Sequence, residues 1–344
     1  MTAVILLAAL VAVPAGDFPR PEGGPTGLSG VTHVTNDLYY AVNDAGSFLL
    51  TVEISVDRAN GRVTNCAFRA ATALKASGKL ADLEGVAWDA AAGVVWATDE
   101  YDGTIRSFDP ATGERRAAAV LPPVQDAFRF NRSLEALALA PGSLDLWACN
   151  EEALCAKEAR RERRMQKSPD PRPETMADDG PRATRRKGTR VRIMRLSRVS
   201  AADVPRPAGE WAYETDPVGG LDFLGKSSCG VADMAVLGDG TLLVMERELS
   251  IKRGKFTPSF RCRIYAVDVS GADDVSNVAS LKDFAGRTAG KTLVWGGDTG
   301  FANYEGLCEG PRLADGSRTL VLVSDADAGA AARVMTLVLK ARAE

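Results

Sequence analysis

The chain has 344 residues, a formal net charge of −3 and 45% hydrophobic residues. That is enough apolar material for a large core, and it leaves no charge excess to draw nucleic acid or an anionic membrane to the molecule as a whole. The only histidine is His33, which excludes sites built on several imidazoles, zinc sites of the Cys/His kind included.

Residues 1–15, MTAVILLAALVAVPA, form an apolar run of leader length that ends in small residues around Ala15. They read as a signal peptide, removed on export to the periplasm or the extracellular medium, and are too short to span a bilayer. A buried N-terminal strand is the alternative. Residues 16–344 are then a single domain. Export suits six cysteines, which are expected to pair in an oxidising compartment. The expected bridges are Cys149 to Cys155, closing a short loop, and Cys229 to Cys262, in segments that the repeat described next brings together.

From Leu28 onward, two short strand-like runs around a turn recur five times: LSGVTHVTNDLYYAVND, LEGVAWDAAAGVVWATDE from Leu83, LEALALAPGSLDLWACNE from Leu134, VADMAVLGDGTLLVMER from Val231 and YEGLCEGPRLADGSRTLVLVSD from Tyr304. Their turns hold Asn36-Asp37, Ala92-Gly93, Pro141-Gly142, Asp239-Gly240 and Asp315-Gly316, several of them residue types that tolerate tight or positive-φ turns. A third strand follows most hairpins, as in TIRSFD from Thr104 and RIYAVDV from Arg263, with a fourth after it. Four antiparallel strands per unit, mostly at intervals near the roughly 40–50 residues of a blade, predict an all-β protein, a β-propeller of five to six four-stranded blades. A β-sandwich would not require one hairpin register to recur around the chain.

The longest interval contains Lys157 to Arg192, rich in Arg, Lys, Pro and Asp and poor in apolar residues. It is expected to be a flexible basic insertion in the third blade. It has no aromatic residue, so it does not read as a binder of single-stranded nucleic acid, and its charge suits recruitment of an anionic small molecule.

In an antiparallel hairpin the first residue of one strand lies beside the last residue of the next. Glu84 therefore neighbours Asp99 and Glu100, Glu135 faces Asn150 and Glu151, Glu305 faces Asp325, Ser29 faces Asp44, and the Ala232-Asp233 step faces Glu246. If the first strand of each blade lines a central channel, these ends form a ring of carboxylates at one mouth. Like charges at close range raise one another's pKa or demand a cation, and donors that are all oxygen suit calcium. The expected cation ligands are Glu84, Asp99, Glu135, Glu305 and Asp325. Glu100, Glu151 and Glu246 are the candidate catalytic bases, and Arg132 and Arg247 the candidate holders of an anionic substrate group. The competing account has the acids pair with Arg132, Arg247 and backbone amides only to tie blades together.

The segments GLSGVT with YYAVNDAG, LEGVAWD with TIRSFD, NRSLEALAL, GVADMAVLGDGTLLVMER, RIYAVDV and NYEGLCEGPRLADGSRTLVLVSD run in this order from about Gly27 to about Leu339. Together they resemble the family called esterase-like activity of phytase, or phytase-like domain, whose members are mostly exported bacterial proteins. The resemblance implies a propeller and, by the family's name, ester hydrolysis, with no catalytic set to carry over residue by residue. The chain has no RHG motif, no DAADDPA-type acidic signature and no G-x-S-x-G elbow. The expectation is therefore metal-assisted hydrolysis of an ester or phosphoester. A calcium-dependent lactonase-like hydrolase and a noncatalytic ligand- or protein-binding propeller are the alternatives. A monomer is expected, with no transmembrane segment and no specific nucleic-acid partner.

Overall fold

The computed structural model describes residues 10–19, 27–43, 46–75, 82–124, 128, 132–155, 179–222, 224–252, 254, 257–325 and 333–341. Four sheets are built from consecutive strands. They are β2 (Leu28–Thr35), β3 (Leu38–Asn43), β4 (Gly46–Val56) and β5 (Val63–Ala73); β6 (Leu83–Asp89), β7 (Val94–Asp99), β8 (Thr104–Phe108) and β9 (Arg115–Ala118); β10 (Leu134–Leu139), β11 (Leu146–Asn150), β12 (Arg190–Ser197) and β13 (Arg206–Glu214); and β14 (Ser228–Val236), β15 (Leu242–Ile251), β16 (Pro258–Asp268) and β17 (Gly290–Gly300). The fifth joins β18 (Asn303–Glu309), β19 (Arg318–Asp325) and β20 (Arg333–Ala341) to β1 (Leu10–Pro19). All pairings are antiparallel, and the first strands touch in the ring order β2, β6, β10, β14, β18 and back to β2. The molecule is a five-bladed propeller, so the expected five to six blades resolve to five. No helix among the described residues is long and apolar enough to cross a membrane.

Each predicted hairpin turn contains a residue at positive φ, namely Asn36, Gly93, Gly142, Gly240 and Gly316, the conformation that lets strands reverse without splaying. The apolar core lies between blades. Leu28, Val31 and Cys66 of the first blade pack with Cys308, Val321 and Val323 of the fifth, and comparable clusters fill the other four clefts. The first strands are buried on both faces, which is why they read as apolar runs rather than as a strict alternation.

The first and last described strands share a blade, and β1 pairs with β20 from Leu10↔Ala341 to Pro19↔Arg333. Cleavage after Ala15 would strip Leu10 to Pro14 from that ladder and leave the apolar edge of β20 unpaired. A chain lacking residues 1–15 is expected to melt at a lower temperature than the full chain in calorimetry. Equal melting temperatures would show that the ladder contributes nothing.

Of the predicted basic insertion, residues 157–178 lie outside the described residues, and the remainder runs from the buried Asp179 through exposed residues 184–187 into the third blade. Arg190 opens β12, and the Arg192 guanidinium is fully buried against Asp179, at 2.8 and 2.9 Å, and against Glu210 at 3.3 Å. The end of the basic stretch is therefore part of the third blade.

None of the six cysteines is joined in a disulfide, which corrects both expected bridges. Cys229 and Cys262 lie on β14 and β16 with β15 between them, beside Glu248 and Arg247 respectively. Two strand spacings of about 4.8 Å exceed the roughly 7 Å Cα limit for a disulfide. Cys149 is buried within the core between the third and fourth blades, whereas Cys155 follows the end of β11. A reducing agent is expected to leave the melting temperature unchanged.

Candidate functional site

All five first strands carry the same irregularity. Pairing with the second strand skips Ser29 in β2, Glu84 and Gly85 in β6, Glu135 in β10, Ala232 in β14 and Glu305 in β18. A β-bulge leaves one residue unpaired and re-aims its side chain. Here the bulged position supplies Glu84, Glu135 and Glu305 to one end of the central axis, as their shared register predicts.

The second strands follow a matching rule. The residue paired with the one just before the bulge turns sideways into its own blade, and the next one takes the mouthward position. Asp99 lies 2.8 Å from Arg106 of β8, while Glu100 joins Glu84 and Glu135. Asn150 accepts the Arg192 amide at 2.9 Å, while Glu151 joins Glu100 and Glu135. Glu246 is wholly buried, accepting from the Tyr213 hydroxyl at 2.6 Å and the Asp216 amide at 2.8 Å and pairing with Lys291 at 2.7 Å, while Arg247 enters the mouth. Glu246 is therefore no part of the site it was assigned to. Asp99 belongs to an ion-paired cluster within the second blade; in the fifth blade Ser324 takes the sideways register position, and Asp325, buried opposite Asn303, takes the mouthward one held elsewhere by Glu100, Glu151 and Arg247. Ser29 lies beside Glu84, while its expected neighbour Asp44 falls outside the described residues.

Two carboxylate triads result. Oxygens of Asp82, Glu84 and Glu100 lie within 4.8 Å of one another, as do those of Glu100, Glu135 and Glu151. Burial, reinforced by the neighbouring carboxylates, holds Glu84, Glu100 and Glu135 well above the ordinary glutamate range. Arginines occupy one side only. Arg247 Nη2 lies 3.0 Å from Glu151 and 4.0 Å from Glu135, and its Nη1 meets Glu305 and, at 3.1 Å, Asn303. Arg132 lies 2.9 Å from Glu152 and 3.5 Å from Glu151. Glu84 and Glu100 form no salt bridge among the described residues. Glu100 accepts the Ser133 amide at 2.8 Å, which ties the second blade to the third. The mouth thus has an acid side, over the second blade, and a paired side, over the third to fifth.

Sequence reasoning missed Asp82, Glu152 and Asn303. Asp82 was the most legible of these, since its carbonyl accepts the Glu100 amide at 2.8 Å and so extends the hairpin register by one step.

Below the bulges the first strands close to a collar at Gly30, Gly85, Ala136, Asp233 and Gly306. A Cβ on Gly30 would sit 2.2 Å from the Glu84 carbonyl oxygen, and one on Gly85 would sit 2.7 Å from the Leu137 nitrogen. A cavity of about 620 Å³ opens on the far side of this collar, lined by Val31, Val86, Leu137, Met234 and Leu307 and widening toward His33 and Glu309. It is separate from the mouth. His33 stands at its rim, bonded to the Asn36 carbonyl at 2.8 Å, with its ring tilted against that of Tyr39 at 4.8 Å.

Fold and site together define a five-bladed propeller with an acidic axial pocket assembled from several blades. The family profile described as phytase-like, esterase-like activity of phytase, matches residues 24–328. The chain belongs to that family. A comparison with curated proteins finds no match. Among solved structures the chain is similar to streptogramin B lyase, at 9% identity over 96% of this chain and 99% of that one, with a TM-score of 0.38. It is also similar to luciferin-regenerating enzyme, at 11% identity over 95% of each chain, with a TM-score of 0.39.

Proposed function

We propose that the protein hydrolyses an ester bond, and a phosphoester before other classes, with calcium held at the acid side of the mouth. The observation that carries this reading is the convergence of Asp82, Glu84, Glu100, Glu135 and Glu151 on a buried space where Glu84 and Glu100 form no salt bridge among the described residues. The donor set fits a hard cation: all oxygen, several carboxylates, and strand ends that hold them in place. Asp82 and Glu84 of one triad, with Glu135 of the other, would hold it, and a bound calcium would supply charge neutralisation and polarisation of the ester's oxygen.

The chain's own groups divide the remaining work. Arg132, about a third exposed, and Arg247 present guanidinium donors beside the acid side, where an anionic group of the substrate can lie. Glu100 is the candidate base, because burial and the neighbouring carboxylates raise its proton affinity above that of an ordinary glutamate. Glu151, engaged by both arginines, orients them. The collar below keeps bulk water from entering through the axis.

One observation favours a second reading. Arg247 already spans residues of the third and fifth blades, as a tie would in a noncatalytic ligand-binding propeller. Phosphoesters, carboxyl esters and lactones, each assayed with calcium and with a chelator, separate these readings. Calcium-dependent turnover of phosphoesters is expected. Turnover of lactones alone would indicate the lactonase-like hydrolase, and turnover of nothing would leave the binding propeller.

A further inference from the structure

The collar holds one residue out of character. Its positions are Gly30, Gly85, Ala136 and Gly306 in four blades, and in the fourth blade Asp233, whose carboxylate is completely buried. A carboxylate confined at a backbone-tight level must be held by donors or it destabilises the fold. Asp233 is held by three amides. Oδ2 accepts the Leu307 N–H at 2.6 Å, Oδ1 accepts that of Met234 at 2.8 Å, and the Leu137 N–H also donates to the group. Leu137 and Leu307 each lie two residues beyond a bulged glutamate, Glu135 on β10 and Glu305 on β18.

The fourth blade thus grips the same two neighbouring strands at two levels. Above, Arg247 reaches Glu135 and Glu151 on one side and Glu305 on the other. Below, Asp233 reaches Leu137 and Leu307. The fourth blade, which has Ala232 and no carboxylate at its own bulge, supplies both parts of this clamp.

We infer that Asp233 is a positioning residue for the mouth: by fixing the amides of Leu137 and Leu307 it sets where Glu135 and Glu305 stand relative to Glu84, Glu100 and Arg247. The functional half of this inference rests on the reading of the mouth as a cation site. Loss of the carboxylate leaves two buried amides without their acceptor and frees both strands to shift. A glutamate displaced by a few tenths of an ångström is a poorer ligand, and loss of an outer partner of this kind typically weakens metal binding about 10–100-fold.

The test uses Asp233→Gly, which restores the residue found at three other collar positions, and Asp233→Asn, which keeps the shape and one acceptor oxygen. Val244→Ala, a core change in the same blade, is the control for general destabilisation. Two readouts are taken on the full chain: calcium affinity by calorimetry, and hydrogen–deuterium exchange of β10 and β18 without cation. In Asp233→Gly, calcium affinity is expected to fall about 10–100-fold, and exchange around Leu137 and Leu307 to quicken at least tenfold while β6 stays protected. Asp233→Asn should lie between, and Val244→Ala should keep wild-type affinity. Unchanged exchange in β10 and β18, or an affinity loss in Val244→Ala equal to that in Asp233→Gly, overturns the inference. If the wild-type chain binds no calcium, the cation-site reading fails, and exchange alone decides whether Asp233 holds the two strands.

Discussion

Arg247→Met is expected to destabilise the cation-free protein by about 3–5 kcal/mol at neutral pH, the usual cost of stripping a buried ion pair of one partner. The change keeps most of the apolar stem and removes the only guanidinium that reaches Glu135 and Glu305 among the described residues, leaving both, with Glu151, close together and uncompensated on that side. Two further signs follow from the same charges. The loss should shrink as the pH is lowered toward about 5, because protonated carboxyls no longer need the arginine. It should also shrink when calcium is added, because a cation can take over the neutralising role, so the variant is expected to gain more from calcium than the wild type does. Urea unfolding at two pH values, with and without calcium, measures all of this. A variant as stable as the wild type under each condition would show that the acids of the mouth do not need Arg247.

Glu84→Gln is expected to act in opposite directions with and without calcium. Burial and the neighbouring Glu135, Glu100 and Asp82 carboxylates hold Glu84 well above its unfolded value near 4.5. A carboxyl whose folded pKa is raised costs nothing below the unfolded value. Stability then falls as the pH rises from about 4.5 through the raised value, because the folded state must either keep a proton that the solvent would take or hold a buried repelled charge. Glutamine cannot ionise, so the cation-free variant should melt higher than the wild type at pH 8 and no differently at pH 4. In calcium the order reverses. The wild type should gain about 2.7 kcal/mol at a hundredfold excess of calcium over its Kd, increasingly so with rising pH as the cation displaces protons, while the variant gains little. Calcium-dependent hydrolysis should disappear with that gain. Melting curves across pH 4–8 in calcium and in chelator test the prediction, and an equal calcium gain in both proteins would remove Glu84 from the ligand set.

The architecture was legible because it rests on period and punctuation. Five hairpins with turn-forming residues at matching positions can close their apolar faces only against one another, and their register brought Glu84, Glu135 and Glu305 to one end. The bulges were hidden, since in strands buried on both faces a skipped residue leaves no break in the apolar run. Hidden for the same reason was the division between sideways and mouthward residues. Asp99 and Glu100 looked equivalent as adjacent acids at a strand end, and only the Arg106 and Arg192 contacts show which member of each pair turns away. Glu246 was misplaced by that ambiguity, one residue from Arg247, which does reach the mouth. Asp233, set with Ala232 opposite Glu246 by the hairpin register, carries no separate role in the sequence, because nothing local reveals that its carboxylate meets amides of two other blades.

Close packing of the first strands at the glycine collar makes the open mouth, on the reading proposed above, the way to the carboxylates. Whatever enters must leave by the way it came, so a product has to back out before the next substrate molecule can be admitted. A long polymer, unable to thread through the axis, can present only a terminus or a protruding side group to the carboxylates. A pocket of this form suits a small ester, or the trimming of a larger molecule one exposed group at a time, and makes cleavage in the middle of a chain geometrically awkward.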